Sequence, residues 1–243
     1  MINNDDINYR EIAKNLKKYL NVHFVQFNFV FLKKITTKGL KKSKMSTFIL
    51  NLKNYNDLMD LFDQKTRNQV RKSTKFNFKG KILNEDNMDE IYVLYKLNMA
   101  RHGSKPKDIK YFDNIFKYYK NHVCMIGIYE KNKLIGLNIH IFNEKYARLL
   151  FNLSLQEYWP MCINNLLYYE TIKACVKQKI EFLDFGPTLN KDLSHINFKF
   201  GFGAKQYNIY TLKYGSIFYI LSEFIKNKIY NFKNLLRIKK IIK

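Results

Sequence analysis

The spacing of apolar residues changes several times along this chain, and each change marks an element. Over residues 7–20 they recur at Ile7, Ile12, Ala13, Leu16, Tyr19 and Leu20, the rhythm of one helical face. Val22 to Leu32 (VHFVQFNFVFL) is too densely aliphatic and aromatic for that rhythm and predicts a strand, as does Ser46 to Leu52. Between them Lys33 to Lys44 forms a basic hairpin loop without one acidic residue. A helix is predicted from the capping-type Asn56, with Leu58, Met59, Leu61 and Phe62 inward and a basic run from Arg67 to Lys75 at its far end.

From Phe78 the pattern becomes strand, two helices and a meander. Phe78 to Leu83 reads as a strand, and Asn87 to Arg101 and Asp108 to Tyr119 as helices. Val123 to Tyr129, Leu134 to Phe142 and Ala147 to Leu155 read as consecutive strands, the first two joined by the polar turn Glu130 to Lys133. Leu166, Leu167, Ile172, Ala174 and Val176 then return to helical spacing. Glu181 to Pro187 predicts a short strand stopped by Gly186-Pro187. A helix carrying His195 and Lys199, an aromatic-glycine bend and a final strand to Tyr214 complete the pattern. The fold class is α/β (α+β), a mixed central sheet flanked by helices. An acidic residue and a tight turn at a sheet edge, as at Asp184, make a site candidate.

The tail from Gly215 to Lys243 has Phe218, Leu221, Phe224, Ile225, Ile229, Phe232 and Leu236 on one stripe and predicts a basic amphipathic helix. Such helices suit anionic membrane surfaces or RNA, and equally suit packing on their own domain.

Composition narrows the class. Apolar residues make up 47% of the 243, which excludes disorder and suffices for one substantial core. The 43 Lys and Arg against 20 Asp and Glu give a formal charge of +23, which points to an anionic partner without naming it. Cys124, Cys162 and Cys175 form no CxxC, and the five histidines have no ligand spacing, so neither a disulfide scaffold nor a metal site is expected. The N-terminus lacks the features of a signal peptide and no apolar run spans a bilayer, so a cytoplasmic chain is expected.

Four segments in order resemble the FemAB-like acyltransferases, a group on the GNAT fold that includes the broad BioF2-like acetyltransferase domain. They are Arg67-Asn68-Gln69-Val70-Arg71-Lys72, the helix opening Asn164 to Glu170, Asp184-Phe185-Gly186, and Phe198-Lys199-Phe200-Gly201-Phe202-Gly203-Ala204. The resemblance implies an abbreviated N-terminal GNAT-like lobe over residues 1–78, a complete lobe over 79–214 and the helical tail 215–243.

It also implies transfer of an acyl or aminoacyl group to an amine of a small molecule or cell-envelope precursor. The donor is a co-substrate, aminoacyl-tRNA or acyl-CoA, rather than a permanently bound cofactor. A coenzyme A user usually has a glycine-rich loop before the helix after the fourth strand. Here Gln156 to Asn165 contains no glycine, which tilts the donor toward tRNA. The rival readings are an acyl-CoA-dependent N-acetyltransferase on an amino sugar, an RNA-binding module without chemistry, and a membrane-surface scaffold peripheral at the inner face.

Lys199 matches the lysine implicated in handling the aminoacyl-tRNA end. Flanked by Phe198, Phe200 and Phe202, it reads either as an ammonium with a depressed pKa or as a solvated lysine beside core rings. Asp184 either orients an amine or caps the turn at Gly186. His195 is a candidate base, or an ordinary surface histidine. Arg67, Arg71 and Lys72 suit donor phosphates, and Asn164 and Asn165 open the helix where a donor anion would rest.

Overall fold

A computed structural model of the protein describes residues 9–30, 41–53 and 57–215. The readings for Ile7, Leu32, most of the basic hairpin (33–40), Asn56 and the tail over 216–243 lie outside the described residues. In chain order the elements are α1 (Tyr9–Tyr19), β1 (Phe24–Val30), β2 (Lys41–Asn51), α2 (Gln64–Ser73), β3 (Phe78–Leu83), α3 (Met88–Arg101) and α4 (Lys110–Tyr119). Then come β4 (Val123–Glu130), β5 (Lys133–Phe142), β6 (Tyr146–Ser154), α5 (Ile163–Lys177), β7 (Phe182–Leu189), α6 (Leu193–Gly201) and β8 (Lys205–Gly215).

Two compact units divide the chain. Of the described residues, one comprises those up to Lys44 together with those from Asn208 to Gly215; the other runs from Met45 to Tyr207. The expected lobe boundary at residues 78 and 79 falls at the start of β3, inside the larger unit. In the smaller unit β1 pairs antiparallel with β8, from Phe24 opposite Gly215 to Val30 opposite Ile209. Tyr9 of α1 meets Phe29 edge-on with ring centroids 4.6 Å apart.

The larger unit holds a mixed sheet in the order β2-β7-β6-β5-β4-β3. β3 to β6 form an antiparallel meander, α5 carries the chain over to β7 in parallel with β6, and β2 pairs antiparallel with β7. β4 and β5 are covered on both faces, so their sequences are nearly unbroken apolar runs. Ile91 and Leu94 of α3 and Phe112 and Phe116 of α4 pack on Met125, Leu137 and Ile139. Ile163, Leu166 and Leu167 of α5 pack on Ile128 and Ile135. Further along, Tyr168 and Ile172 of α5 share a core with Phe48, Phe185, Ile196 and Phe202.

The structure departs from the sequence pattern in three places. The single helix expected from Asn56 is a 3-10 turn, Leu58–Leu61, followed by a separate α2. Each has its own aspartate cap: Asp57 accepts from the Met59 N–H and Asp63 from the Thr66 N–H. Lys41 to Lys44, expected in a loop, open β2, because an extended backbone can leave ammonium groups in water. The Gly186-Pro187 break does not stop β7. Thr47 of β2 stands opposite Pro187, and a register shift between Thr47 and Ile49 absorbs the irregularity.

Candidate active site

β7 and β6 share only three register pairs: Tyr146 with Phe182, Ala147 with Leu183 and Arg148 with Asp184. Beyond them β6 continues against β5 and β7 continues against β2. Their ladder ends at Arg148 and Asp184, and the unpaired stretch beyond it is the candidate cleft. Directly past the parting, β6 carries a bulge: Leu149 faces His140 and Phe151 faces Ile139, leaving Leu150 as the extra residue. A bulge of this kind kinks its strand locally.

Asp184 lies at the head of this cleft with 0% exposure. One carboxylate oxygen accepts from the Gly186 N–H at 2.8 Å and from the Thr47 hydroxyl. The other accepts from the Tyr146 hydroxyl at 2.7 Å and stands 3.9 Å from Arg148 Nε. Burial, then the Asp184 charge, push the Tyr146 phenol well above its ordinary pKa.

Lys199 reaches the same turn from α6. It is 5% exposed, and its Nζ donates to the Gly186 carbonyl and the Thr188 hydroxyl, both at 2.8 Å. The ammonium also lies 5.2 Å from the Phe48 ring centroid. Burial lowers its pKa to about 8, against the raising influence of Asp184 and Asp192. It is a buried lysine, not a solvated one. Gly186 itself has a φ of 78°, a left-handed conformation that favours glycine.

The lysine is placed by the glycines that follow it. Asp63 donates its N–H to the Gly201 carbonyl at 2.9 Å, and a side chain on Gly201 would strike Thr66. Gly203, at φ 81°, sits against the Leu61 carbonyl. Two bare backbone positions therefore lock α6 onto the start of α2.

His195 is not brought into this group. It is exposed at the start of α6, and its Nδ1 is 2.8 Å from Asp192, whose carboxylate also caps the helix at the His195 N–H. No hydrogen bond joins it to Lys199 among the described residues. On α2, Arg67 donates to the Phe62 carbonyl and, at 2.7 Å, to Gln64 Oε1, while Arg71 and Lys72 are exposed in the last turn. α2 meets α5 where buried Asn165 donates from Nδ2 to Gln69 Oε1 at 3.1 Å. The neighbouring Asn164 has a buried Oδ1 without a partner.

Thr47, Tyr146, Arg148 and Thr188 were not among the sequence candidates. Their one signal was polarity in strands that otherwise bury apolar residues, as with Ser46-Thr47 before Phe48-Ile49-Leu50. A second polar group stands at the far end of β6. Trp159 donates from its indole to Ser154 Oγ at 2.9 Å, and Arg101 lies over the indole at 4.5 Å while donating to Asn98 Oδ1 at 3.0 Å. Among the described residues, no group of His, Cys, Asp and Glu could hold a metal, and no helix is long and apolar enough to cross a membrane.

The FemAB family model matches residues 32–133, a range that includes Arg67 to Lys72. The crystal structure of FemX superposes with a TM-score of 0.64 at 15% identity, covering 83% of this chain and 74% of that one. A tandem GNAT protein from the clavulanic acid biosynthesis pathway superposes at 0.56 and 10% identity, covering 86% and 69%. The C-terminal domain of a putative lysylphosphatidylglycerol synthetase from Agrobacterium fabrum gives 0.55 and 13%, covering 71% of this chain and 60% of that one. No curated protein matches the chain by sequence. The chain is FemAB-like over residues 32–133, and its fold is the mixed GNAT-like fold of these structures.

Proposed function

We propose that the chain is an N-acyltransferase that holds an acyl or aminoacyl donor in the cleft between β6 and β7 and passes the group to an amine acceptor. The acceptor, as the free amine, attacks the donor carbonyl carbon to form the carbon–nitrogen bond, the carbonyl oxygen takes up negative charge, and as the carbonyl re-forms the donor's ester oxygen or thioester sulfur leaves with the proton that the nitrogen sheds. Catalysis then rests on proximity and on donors aimed at the developing oxyanion. The carrying observation is the parting of two parallel strands over one buried turn, with Asp184 and Lys199 both fixed on Gly186.

In this reading Lys199 works as a cation. Its ammonium stiffens the Gly186 turn and puts positive charge where the oxyanion forms, while Asp184 is the positioning carboxylate on the other side of the turn. The donor is aminoacyl-tRNA. The segment Gln156–Met161 ahead of α5 carries Trp159 and Pro160 where a coenzyme A pyrophosphate would need bare backbone. Arg71 and Lys72, exposed in the last turn of α2, offer their charge to tRNA phosphates.

The test is transfer from a mixed pool of tRNA charged with labelled amino acids, run beside acetyl-CoA, onto amine-bearing cell-envelope precursors and small amines. Transfer from charged tRNA that disappears in Lys199→Ala supports the reading. Turnover with acetyl-CoA alone would reassign the donor, and no transfer from either would remove the enzymatic reading.

A further inference from the structure

Asn152 stands on the stretch of β6 that has left β7, two residues past the bulged Leu150, and its side chain is exposed. Behind it runs a chain of buried polar groups that the packing of the sheet does not require. Asn138 of β5 is 0% exposed and Thr171 of α5 is 2% exposed. An aliphatic pair would fill those positions without the cost of desolvating an amide and a hydroxyl. Such a network earns its place only if it fixes something.

What it fixes can be read by following donors and acceptors inward to outward. The Thr171 hydroxyl has one proton, and it donates this to the Leu167 carbonyl at 2.8 Å. Toward Asn138, Thr171 Oγ1 can then only accept, and it accepts from Asn138 Nδ2 at 3.0 Å. Asn138 must therefore present its carbonyl oxygen outward, and Asn152 Nδ2 donates to it at 2.7 Å. The orientation of an asparagine amide is assigned from its network, and here the network ends on a helix carbonyl that cannot reverse. With Nδ2 committed to Asn138, the exposed Asn152 keeps its Oδ1 as a free acceptor, and no hydrogen bond to that oxygen occurs among the described residues.

We infer that Asn152 is a ligand-binding acceptor of the cleft, its Oδ1 taking an N–H from an amide- or amine-bearing substrate. This rests on the cleft being the site of acyl transfer, and it adds a chemical demand on what enters: the group lying along β6 carries an N–H donor. A ligand with only oxygen acceptors at that point would leave Oδ1 unmatched. Thr171 and Asn138 are positioning residues that act through Asn152, since a reversed Asn152 amide would present a donor instead.

The experiment measures binding of two probes, acetyl-CoA with its two amide N–H groups and a charged tRNA pool with its free amino groups, to the full chain by calorimetry. Asn152→Ala, which leaves Asn138 Oδ1 open to water, is expected to weaken the binding probe about tenfold. Thr171→Val keeps the shape but loses the anchor, and is expected to weaken binding severalfold, while Thr171→Ser restores the wild-type value. Slow exchange of one Asn152 side-chain amide proton, visible by NMR in the wild type and lost in Thr171→Val, checks the orientation without any ligand. Unchanged binding in Asn152→Ala overturns the inference and leaves the transferase reading standing. Failure of the wild type to bind either probe overturns both.

Discussion

Lys199 and Asp184 hold the two polar backbone groups of a single residue: the lysine donates to the Gly186 carbonyl and the aspartate accepts from the Gly186 N–H, each at 2.8 Å. Two side chains of opposite charge, from a helix and from the strand itself, thus fix one left-handed residue at the head of the cleft. Neither touches the other directly. The turn between them is the object they share.

A buried ammonium gives the protein a specific response to pH. The Lys199 pKa falls from 10.5 in the unfolded chain to about 8 in the fold, chiefly through burial. Below about 8 both states are protonated and the fold bears the cost of the buried charge, roughly 3 kcal/mol at this shift. From about 8 to 10.5 the unfolded chain holds a proton that the folded chain has released, so stability rises across that window. Urea unfolding at pH 7.5 and 10 is expected to show the gain in the wild type and not in Lys199→Met. Transfer activity, which in the proposed mechanism uses the cation, should fall through the same pKa near 8.

Asp184→Ala leaves the Gly186 N–H and the hydroxyls of Thr47 and Tyr146 without their acceptor. At about 1–3 kcal/mol for each buried unsatisfied group, the expected loss is on the order of 3 kcal/mol or more, read as a lower urea midpoint. Asp184→Asn keeps one oxygen for Gly186 and should lose less. Tyr146→Phe should cost about 1 kcal/mol, the ordinary net worth of one hydrogen bond. A wild-type midpoint in Asp184→Ala would show that the turn holds its shape without the carboxylate.

Gly203→Ala places a methyl group against the Leu61 carbonyl at a backbone angle of φ 81°. The expected destabilisation is at least about 2 kcal/mol, with the loss of activity that follows from releasing α6 and Lys199. Gly80→Ala is the control, since a side chain there meets only ordinary contacts at 3.6 Å or more, and its stability should change by under about 1 kcal/mol.

Arg71→Glu with Lys72→Glu tests the nucleic-acid partner. If both residues neutralise phosphates, the log–log slope of tRNA affinity against salt should flatten by roughly 1.5, because each lost contact removes about 0.7 to 0.9. Thermal stability should stay put, since both side chains are exposed in the last turn of α2. An unaltered slope would place the tRNA elsewhere on the chain.

Periodicity was enough for the framework of the larger unit, because β4 and β5 bury both faces and α4 buries one stripe. It could not see that Asp63 restarts a helix after Phe62, since a cap depends on one side chain and not on a repeat. Nor could it carry β7 past Gly186-Pro187, where the irregularity is taken up by a different strand 140 residues away in the chain, on the order of the whole domain. At the site, Asp184 and Lys199 stood out as charges among aromatics. Thr47, Tyr146 and the Asn138–Thr171 pair did not, because their partners are distant in sequence and an isolated Thr, Tyr or Asn in a strand carries no pattern.

The three-residue seam between β6 and β7 has a consequence for how the larger unit comes apart. Backbone bonds hold β3 to β6 together as one block and β2 with β7 as another, and among the described residues the two strands are joined by the pairs Tyr146 to Arg148, with the Lys145 carbonyl accepting from Glu181 and Phe182 just before them. Amide protons on the two sides should therefore exchange as separate cooperative groups under mild denaturant, with the β2–β7 group opening at lower energy. This short seam lies at the head of the candidate cleft. In the proposed reaction, that seam is where the two blocks would yield as the acyl donor enters.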